Sequence, residues 1–346
     1  MADKVRIGIV GAGGWTVNRM LPGFQKAGEV TAVANRNRAN AERVADQFGI
    51  ENVLDDYKQV IAHPDVDAVF IGTAPNLHKE VALAALEAGK HVMCQTRIAT
   101  NAADAREMYN AAQRARSRGV QTMLVPPGPF YRGRAFITHL VTSGAIGELR
   151  HVQAYNQNAS MADSTTPLSQ GRNNLELYGP YNAAQLGLTY DVLVPWTGHA
   201  KRVLAQRAFF TPERPETPGG PMAKTPYPDE VTAISESEGG AVVTNVLNWA
   251  AHFAESRIEL YGSEGTIVYK QRGDVMLIGR KGDEALQPVE IPPEHDGVWL
   301  VEDEFVRLCR GEIEEPSFTF YDGVKNMEYL EAAYKSAVEG KWVDMP

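Results

Sequence analysis

The sequence predicts an α/β chain: an N-terminal doubly wound parallel sheet, then an α+β domain with a large, mostly antiparallel sheet. Three observations carry that prediction. Up to Val125, short runs that are apolar almost throughout, such as Asp67–Gly72 and His91–Cys94, alternate with helical stretches, the pattern of strands buried on both faces. At Pro126-Pro127-Gly128-Pro129 the prolines remove backbone donors and fix φ, which breaks that pattern. Beyond the break, Arg150–Asn156 and Thr232–Asn248 alternate apolar and polar residues, as half-solvated antiparallel strands do. The 346 residues also exceed what one core usually supports. The expected division is 1–125 and 126–346.

Taken in order, Lys4–Val10 is a β-rich run that ends in Gly11-Ala12-Gly13-Gly14, and a helical stretch follows. Val30–Asn35 is a second strand with a polar end. Ala39–Phe48 carries alanines and charges at helical spacing, and Gly49 stops it. Asp67–Gly72 is the third strand, His78–Ala88 a helix closed by Gly89, and His91–Cys94 the fourth strand. Asn101–Ser117 is a long helix and Val120–Val125 a further strand. Repeated β-α-β units with short connections imply a parallel sheet. In the second half, Arg257–Tyr261, Gly265–Lys270 and Val275–Ile278 extend the antiparallel set, with a turn at Gly262-Ser263-Glu264-Gly265. The proline-rich Thr211–Pro228 reads as a long surface loop, and Glu302–Arg310 and Lys325–Glu339 read as helices on one side of the sheet.

Composition narrows the function classes. With 44% hydrophobic and 22% charged residues the chain is ordinary for a soluble globular protein. No apolar run approaches the ~20 residues that span a bilayer, so no membrane partner is expected. The first residues lack an apolar stretch with a small-residue cleavage site, so no signal peptide is expected. Cys94 and Cys309 lie far apart, which excludes a disulfide framework and a Cys-rich metal site and fits cytoplasmic residence. The histidines are scattered, without a ligand-like pair, so no metal is expected. A formal charge of −9 argues against a nucleic-acid binder.

The first strand and its glycine loop match the G-x-G-x-x-G fingerprint at its first two positions, Gly11 and Gly13. The first glycine permits a tight turn. The second lets a pyrophosphate approach the backbone at the positive end of the next helix. A fingerprint placed between a strand and a helix in a βαβ unit points to a dinucleotide-binding Rossmann domain. Gly11, Gly13, Gly14, Trp15 and Thr16 are therefore cofactor-binding candidates. Thr16 replaces the third glycine, and its side chain is expected to hold helix and strand slightly further apart. An acidic residue at the end of the second strand would bond the ribose of NAD. Here that position is Asn35, followed by Arg36 and Arg38, whose guanidinium groups suit a 2′-phosphate. NADP is thus favoured over NAD.

At this point the chain resembles the glucose–fructose oxidoreductase / inositol dehydrogenase / MocA family over nearly its full length. The segments that carry the resemblance are Gly72-Thr73-Ala74-Pro75-Asn76-Leu77-His78, Ala84–Cys94, Ser143–Leu149, Tyr261–Gly265 and Asp322–Gly340. The resemblance implies an oxidoreductase that moves hydride between a sugar or polyol alcohol and a nicotinamide, assembled as a homodimer or homotetramer. It implies cofactor contacts from Thr73, Ala74, Pro75, Asn76, His78 and Gln95. It also implies a catalytic Lys in a Glu-Lys-Pro motif, where this chain has Gln95-Thr96-Arg97. Replacing the motif's proline by Arg97 is expected to free a turn that the family often holds as a cis peptide. A catalytic Asp and His four residues apart on a helix are implied as well. Anchoring on Gly187 and Trp196 puts Gln185 and Thr189 there; anchoring on Asp191 and Gly198 puts Ala184 and Leu188 there.

Thr96 offers a hydrogen bond but no usable acid or base at neutral pH. The substituted positions leave open a redox enzyme with a relocated acid/base, a catalytically silent nucleotide- and sugar-binding regulator, and a nicotinamide-assisted lyase or glycosidase. For the first, some relatives use a Tyr near the His position, which makes Tyr190 the leading proton donor, with a satisfied core tyrosine as its alternative. Arg97 and Arg172 are cations able to hold a carboxylate or polarise a carbonyl. Asn156, Asn158, Asn173, Asn174, Glu176 and Tyr178 are candidates to line the substrate side, or ordinary loop residues. The expected partner is a carbohydrate-like small molecule.

Overall fold

The computed structural model describes residues 4–127, 132–168, 173–181, 184–297 and 299–346, the side chains of 184 and 185 excepted. The chain divides into two compact units, Met1–Pro126 with Leu300–Met327, and Pro127–Trp299 with Glu328–Pro346. A single boundary near Pro126 is what the sequence suggests; the return of Leu300–Met327 to the first unit is not legible in it.

The first unit is a six-stranded parallel sheet in the order β3-β2-β1-β4-β5-β6. Its strands are β1 (Arg6–Val10), β2 (Glu29–Ala34), β3 (Asn52–Leu54), β4 (Ala68–Ile71), β5 (His91–Cys94) and β6 (Thr122–Leu124). The helices between them are α1 (Leu21–Ala27), α2 (Arg38–Phe48), α3 (Tyr57–Ala62), α4 (His78–Glu87) and α5 (Ala102–Arg116). Side chains cap several of them: Asn37, Asp56 and Asn101 accept the orphan N–H groups that open α2, α3 and α5. Strand β4 is wholly buried, as its unbroken apolar run requires. The pair β3 and α3 is absent from the sequence expectation, because three residues are too short to show a period. Strand order reverses between β1 and β4, which makes the carboxyl ends of these strands the topological switch point, the place where open α/β sheets bind ligands in a crevice.

Two helices complete this unit, α9 (Val301–Cys309) and the first part of α10 (Phe320–Glu339). Helix α10 begins five residues before the expected Lys325, after Thr319 and Asp322 bond each other's backbone and side chains. Gly323 masked that start, but a Cβ on it would lie 2.9 Å from Ile98 and Leu124, so close packing demands the glycine.

The second unit contains a nine-stranded sheet in the order β16-β15-β14-β13-β7-β12-β11-β8-β17. The strands are β7 (Leu149–Gln157), β8 (Ala200–Ala208), β11 (Glu230–Ser237), β12 (Val242–Asn248), β13 (Arg257–Gly262), β14 (Gly265–Lys270), β15 (Val275–Arg280), β16 (Gln287–Val289) and β17 (Val343–Asp344). All neighbours are antiparallel except β7 with β12. One face carries Val152, Ala154, Val243, Ile258, Leu260, Ile267, Tyr269, Met276 and Ile278. Phe136, Ile137 and Leu140 of α6 (Arg134–Thr142) and Val192, Leu193 and Trp196 of α8 (Ala184–Thr197) complete that core. A short helix, α7 (Leu175–Tyr178), precedes α8. The expected loop Thr211–Pro228 holds a small hairpin, β9 (Glu213–Pro215) with β10 (Met222–Lys224). It is anchored by Arg214, fully buried, which donates to Met161 O at 2.6 Å, Asp163 O at 2.7 Å and Asp229 at 3.1 Å.

Candidate cofactor crevice and active-site residues

The predicted cofactor residues of the first unit all follow the carboxyl ends of β1, β2, β4 and β5. Gly11 has φ +93°, the region that favours glycine, and its N–H donates to Ala34 O at 2.9 Å. A Cβ on Gly11 would stand 2.8 Å from the Gly72 and Thr73 backbone and from the Thr73 methyl, so the loops after β1 and β4 touch where Gly11 has no side chain. Thr16, 1% exposed, takes the space that Gly72 leaves: a Cβ on Gly72 would sit 2.5 Å from its Oγ1. The expectation that Thr16 pushes helix and strand apart omitted this compensation from the neighbouring loop.

Gly13 and Gly14 are different. Both are exposed, and a Cβ on either would meet nothing within 4 Å. The protein's own packing does not require glycine there. Bare backbone just before the π-helical stretch Thr16–Met20, which runs on into α1, faces open space and fits a pyrophosphate, which is the test that a dinucleotide cofactor must pass. Trp15 flanks this space and is 38% exposed.

Asn35 is at the end of β2 as expected, but its amide serves the loop. Its Oδ1 accepts from Ala12 N–H at 3.1 Å and its Nδ2 donates to Asn37 O at 3.2 Å. Asn40, which the sequence did not single out, donates to Ala12 O at 2.8 Å. The two arginines separate. Arg36 is exposed and makes no ion pair among the described residues. Arg38 pairs with Glu42 at 3.0 Å and with Asp55, so its guanidinium is already held by carboxylates.

After β4, Thr73 Oγ1 donates to Ala74 O at 3.2 Å, Pro75–Leu77 forms a single 3₁₀ turn with Pro75 buried and Asn76 exposed, and His78 opens α4. His78 is 1% exposed. Its ring nitrogens lie 2.9 Å from Arg97 O and 3.0 Å from Thr73 O. Burial pushes the imidazole below its ordinary range. After β5, Gln95 N–H donates to Ile71 O at 2.9 Å. The Thr96 hydroxyl donates to Val125 O, so its proton is committed within the unit. The peptide Thr96–Arg97 is cis although Arg97 replaces proline, which corrects the expectation that the exchange frees this turn. The Arg97 side chain is buried.

In the second unit, Thr189 and Tyr190 are buried on α8, and the Gln185 side chain and all of Arg172 lie outside the described residues. Tyr190 stacks on Tyr329 at 4.1 Å between ring centroids. Its hydroxyl lies 3.1 Å from His199 Nδ1 and accepts from Ala200 N–H at 3.3 Å. Burial pushes the phenol up. These contacts are those of the alternative reading, a core tyrosine with a satisfied hydroxyl. Asn174 caps α7, Asn158 bonds Ser160 N–H, and Asn173 donates to Leu168 O. Among the described residues, no group of three His, Cys, Asp or Glu is placed to hold a metal, and no helix is long and apolar enough to cross a membrane.

Two family descriptions cover most of this architecture. "Oxidoreductase family, NAD-binding Rossmann fold" matches residues 5–123, and "GFO/IDH/MocA C-terminal domain" matches residues 135–268. The chain belongs to the Gfo/Idh/MocA oxidoreductase family. It is 27% identical to a levoglucosan dehydrogenase of Pseudarthrobacter phenanthrenivorans, over 91% of this chain and 89% of that one. It is 31% identical to a dTDP-3,4-didehydro-2,6-dideoxy-alpha-D-glucose 3-reductase of Saccharopolyspora spinosa, over 84% of both. A solved levoglucosan dehydrogenase in complex with NADH and L-sorbose superimposes with a TM-score of 0.86, at 25% identity and 99% coverage of each chain. Membership of the Gfo/Idh/MocA family places the NAD-binding function in the first unit, where the crevice lies.

Proposed function

We propose that this protein interconverts a carbohydrate-type secondary alcohol and its ketone, using NADP in preference to NAD and an acid/base arrangement other than the family's Lys and His. The observation that carries the cofactor half is the glycine loop at the switch point, whose Gly13 and Gly14 face open space. Relatives named as sugar dehydrogenases and reductases support the substrate class. Gly11, Gly13, Gly14, Trp15 and Thr16 hold the pyrophosphate side, and Thr73, Ala74, Pro75, Asn76 and Gln95 the nicotinamide side. A bound nicotinamide supplies the hydride acceptor. In the oxidative direction the carbinol carbon gives up hydride with its electron pair, and the hydroxyl proton passes to water.

Preference for NADP rests on Asn35, which removes the carboxylate that would repel a 2′-phosphate, and on the exposed, uncommitted Arg36. Arg97 is the proposed substrate-side cation. A guanidinium stays charged, so it polarises a carbonyl or holds a carboxylate and does not abstract a proton. Thr96, whose proton is held by Val125 O, can offer a polyol hydroxyl only an acceptor. A second copy of the chain is proposed to cover the sheet face opposite α6 and α8, where Ile234, Val242 and Val275 are exposed; light scattering on eluting protein tests this. Two distant free thiols support a cytoplasmic setting.

The decisive experiment loads purified protein with NADP or NAD, confirms binding, and adds a panel of sugars, polyols and sugar acids. One equivalent of reduced nicotinamide, read by its fluorescence in a single turnover, is the expected result. Confirmed cofactor binding without reduction, together with a rise in melting temperature caused by an unreacted sugar of the panel, would move the protein to a silent sugar-binding regulator.

A further inference from the structure

The phosphate-side loop has one residue whose backbone is held entirely by side chains. Ala12, 1% exposed, sits between Gly11 and Gly13, the residue type with the widest backbone freedom, and outside every helix and strand. Its N–H donates to Asn35 Oδ1 at 3.1 Å, and its carbonyl accepts from Asn40 Nδ2 at 2.8 Å. The orientation of the Asn40 amide is fixed from its other end, where Oδ1 accepts from Arg43 Nη2 at 2.8 Å. Asn40 N–H in turn donates to Asn37 Oδ1 at 3.2 Å in the first turn of α2. The two peptides that meet at Ala12 are thus each held by the segment that follows β2, and that segment also carries Arg36.

We propose that Asn40 is a positioning residue for the dinucleotide's pyrophosphate loop and that, with Asn35, it couples this loop to the ribose-side segment Asn35–Arg38. The inference rests on the dinucleotide reading of the crevice. Asn40 acts through Ala12 and has no part in reading the ribose. Removing its bond frees the Ala12 carbonyl and with it the Ala12–Gly13 peptide, while Asn35 still holds the Ala12 N–H. Affinity for NADP and NAD then falls together, whereas loss of Arg36 changes their ratio.

Asn40→Asp tests this at constant size, because a carboxylate oxygen then faces Ala12 O; Asn40→Ala removes the group without adding charge. Dissociation constants for NADPH and NADH are read by fluorescence titration, melting temperature guards against misfolding, and amide hydrogen exchange is followed in the cofactor-free protein. The expected result is about tenfold weaker binding of both cofactors with their ratio within about twofold, and faster exchange confined to residues 11–15. Wild-type affinity for both cofactors in both variants would overturn the proposal, as would a shift in the ratio like that of Arg36→Ala. If the wild-type protein binds no dinucleotide, the cofactor reading fails by itself. The exchange data then decide the clamp, and unchanged protection at residues 11–15 refutes it.

Discussion

Gly72→Ala tests whether the loops after β1 and β4 are built as one surface. The new methyl would lie 2.5 Å from Thr16 Oγ1 and 2.8 Å from both Gly11 O and Phe70 Cε1. Ordinary contact begins at 3.4 Å, so Thr16 must retreat by roughly 0.9 Å and the glycine loop by roughly 0.6 Å. Phe70 is fully buried and has no room to yield. Overpacking of this kind costs about 1–3 kcal/mol. At about 2–4 °C per kcal/mol for units of this size, the melting temperature falls by roughly 2–12 °C. If the displaced loop must be drawn back to bind a dinucleotide, the same energy appears as about 5- to 150-fold weaker binding of NADPH and NADH alike. Thr16→Ala in the Gly72→Ala background removes the shortest contact but leaves Gly11 O and Phe70, so it recovers less than half of either loss. Thermal melts and fluorescence titrations measure both quantities. A Gly72→Ala protein that melts within 1 °C of wild type, roughly the error of such a melt, and binds both cofactors unchanged would refute the reasoning.

Four further outcomes are expected. Arg36→Ala weakens NADPH roughly tenfold and NADH hardly at all, with an effect that shrinks at high salt; Arg38→Ala, which removes a group already held by Glu42 and Asp55, leaves their ratio within about twofold. Tyr190→Phe retains turnover within about threefold and costs about 1 kcal/mol, because Ala200 N–H loses its acceptor; a hundredfold loss of rate at unchanged stability would restore Tyr190 as the acid. Asp229→Ala strands the buried Arg214 guanidinium and costs about 3–5 kcal/mol, read as a lower urea midpoint. Burial holds the thiols of Cys94 and Cys309 above the ordinary range, so both are neutral in the fold and ionise once unfolded. Stability is therefore full below the unfolded thiol pKa and declines as pH rises past about 8.5; Cys94→Ala flattens that decline in urea midpoints taken at pH 7.5, 8.5 and 9.5.

What the sequence made legible and what it hid divide along a physical line. Strands buried on both faces announce themselves as apolar runs, and the glycine fingerprint depends on backbone conformation that only Gly11 supplies cheaply. Those signals are local, so the parallel sheet and its crevice follow from order along the chain. Contacts between segments distant in sequence do not. Thr16 reads as a departure from the fingerprint until Gly72 is beside it, and Gly323 reads as a helix breaker until Ile98 and Leu124 press on it. Asn40 reads as an ordinary helix residue because the carbonyl it holds is 28 positions away. The arginines after β2 look equivalent in sequence, and only the carboxylates of Glu42 and Asp55 separate them. Tyr190 shows the same limit in reverse. Its position on α8 invites a chemical role, whereas burial against Tyr329 and a hydroxyl shared with His199 and Ala200 are the contacts of a structural one, and only the fold shows them. If turnover proves indifferent to Tyr190→Phe, the proton does not come from that phenol. The oxidation step would then run with water as the proton acceptor and Arg97 as the fixed charge. A rate of oxidation that rises with pH without a plateau between pH 6 and 9, roughly the span over which a tuned histidine or carboxylate would titrate, is the signature that this arrangement predicts.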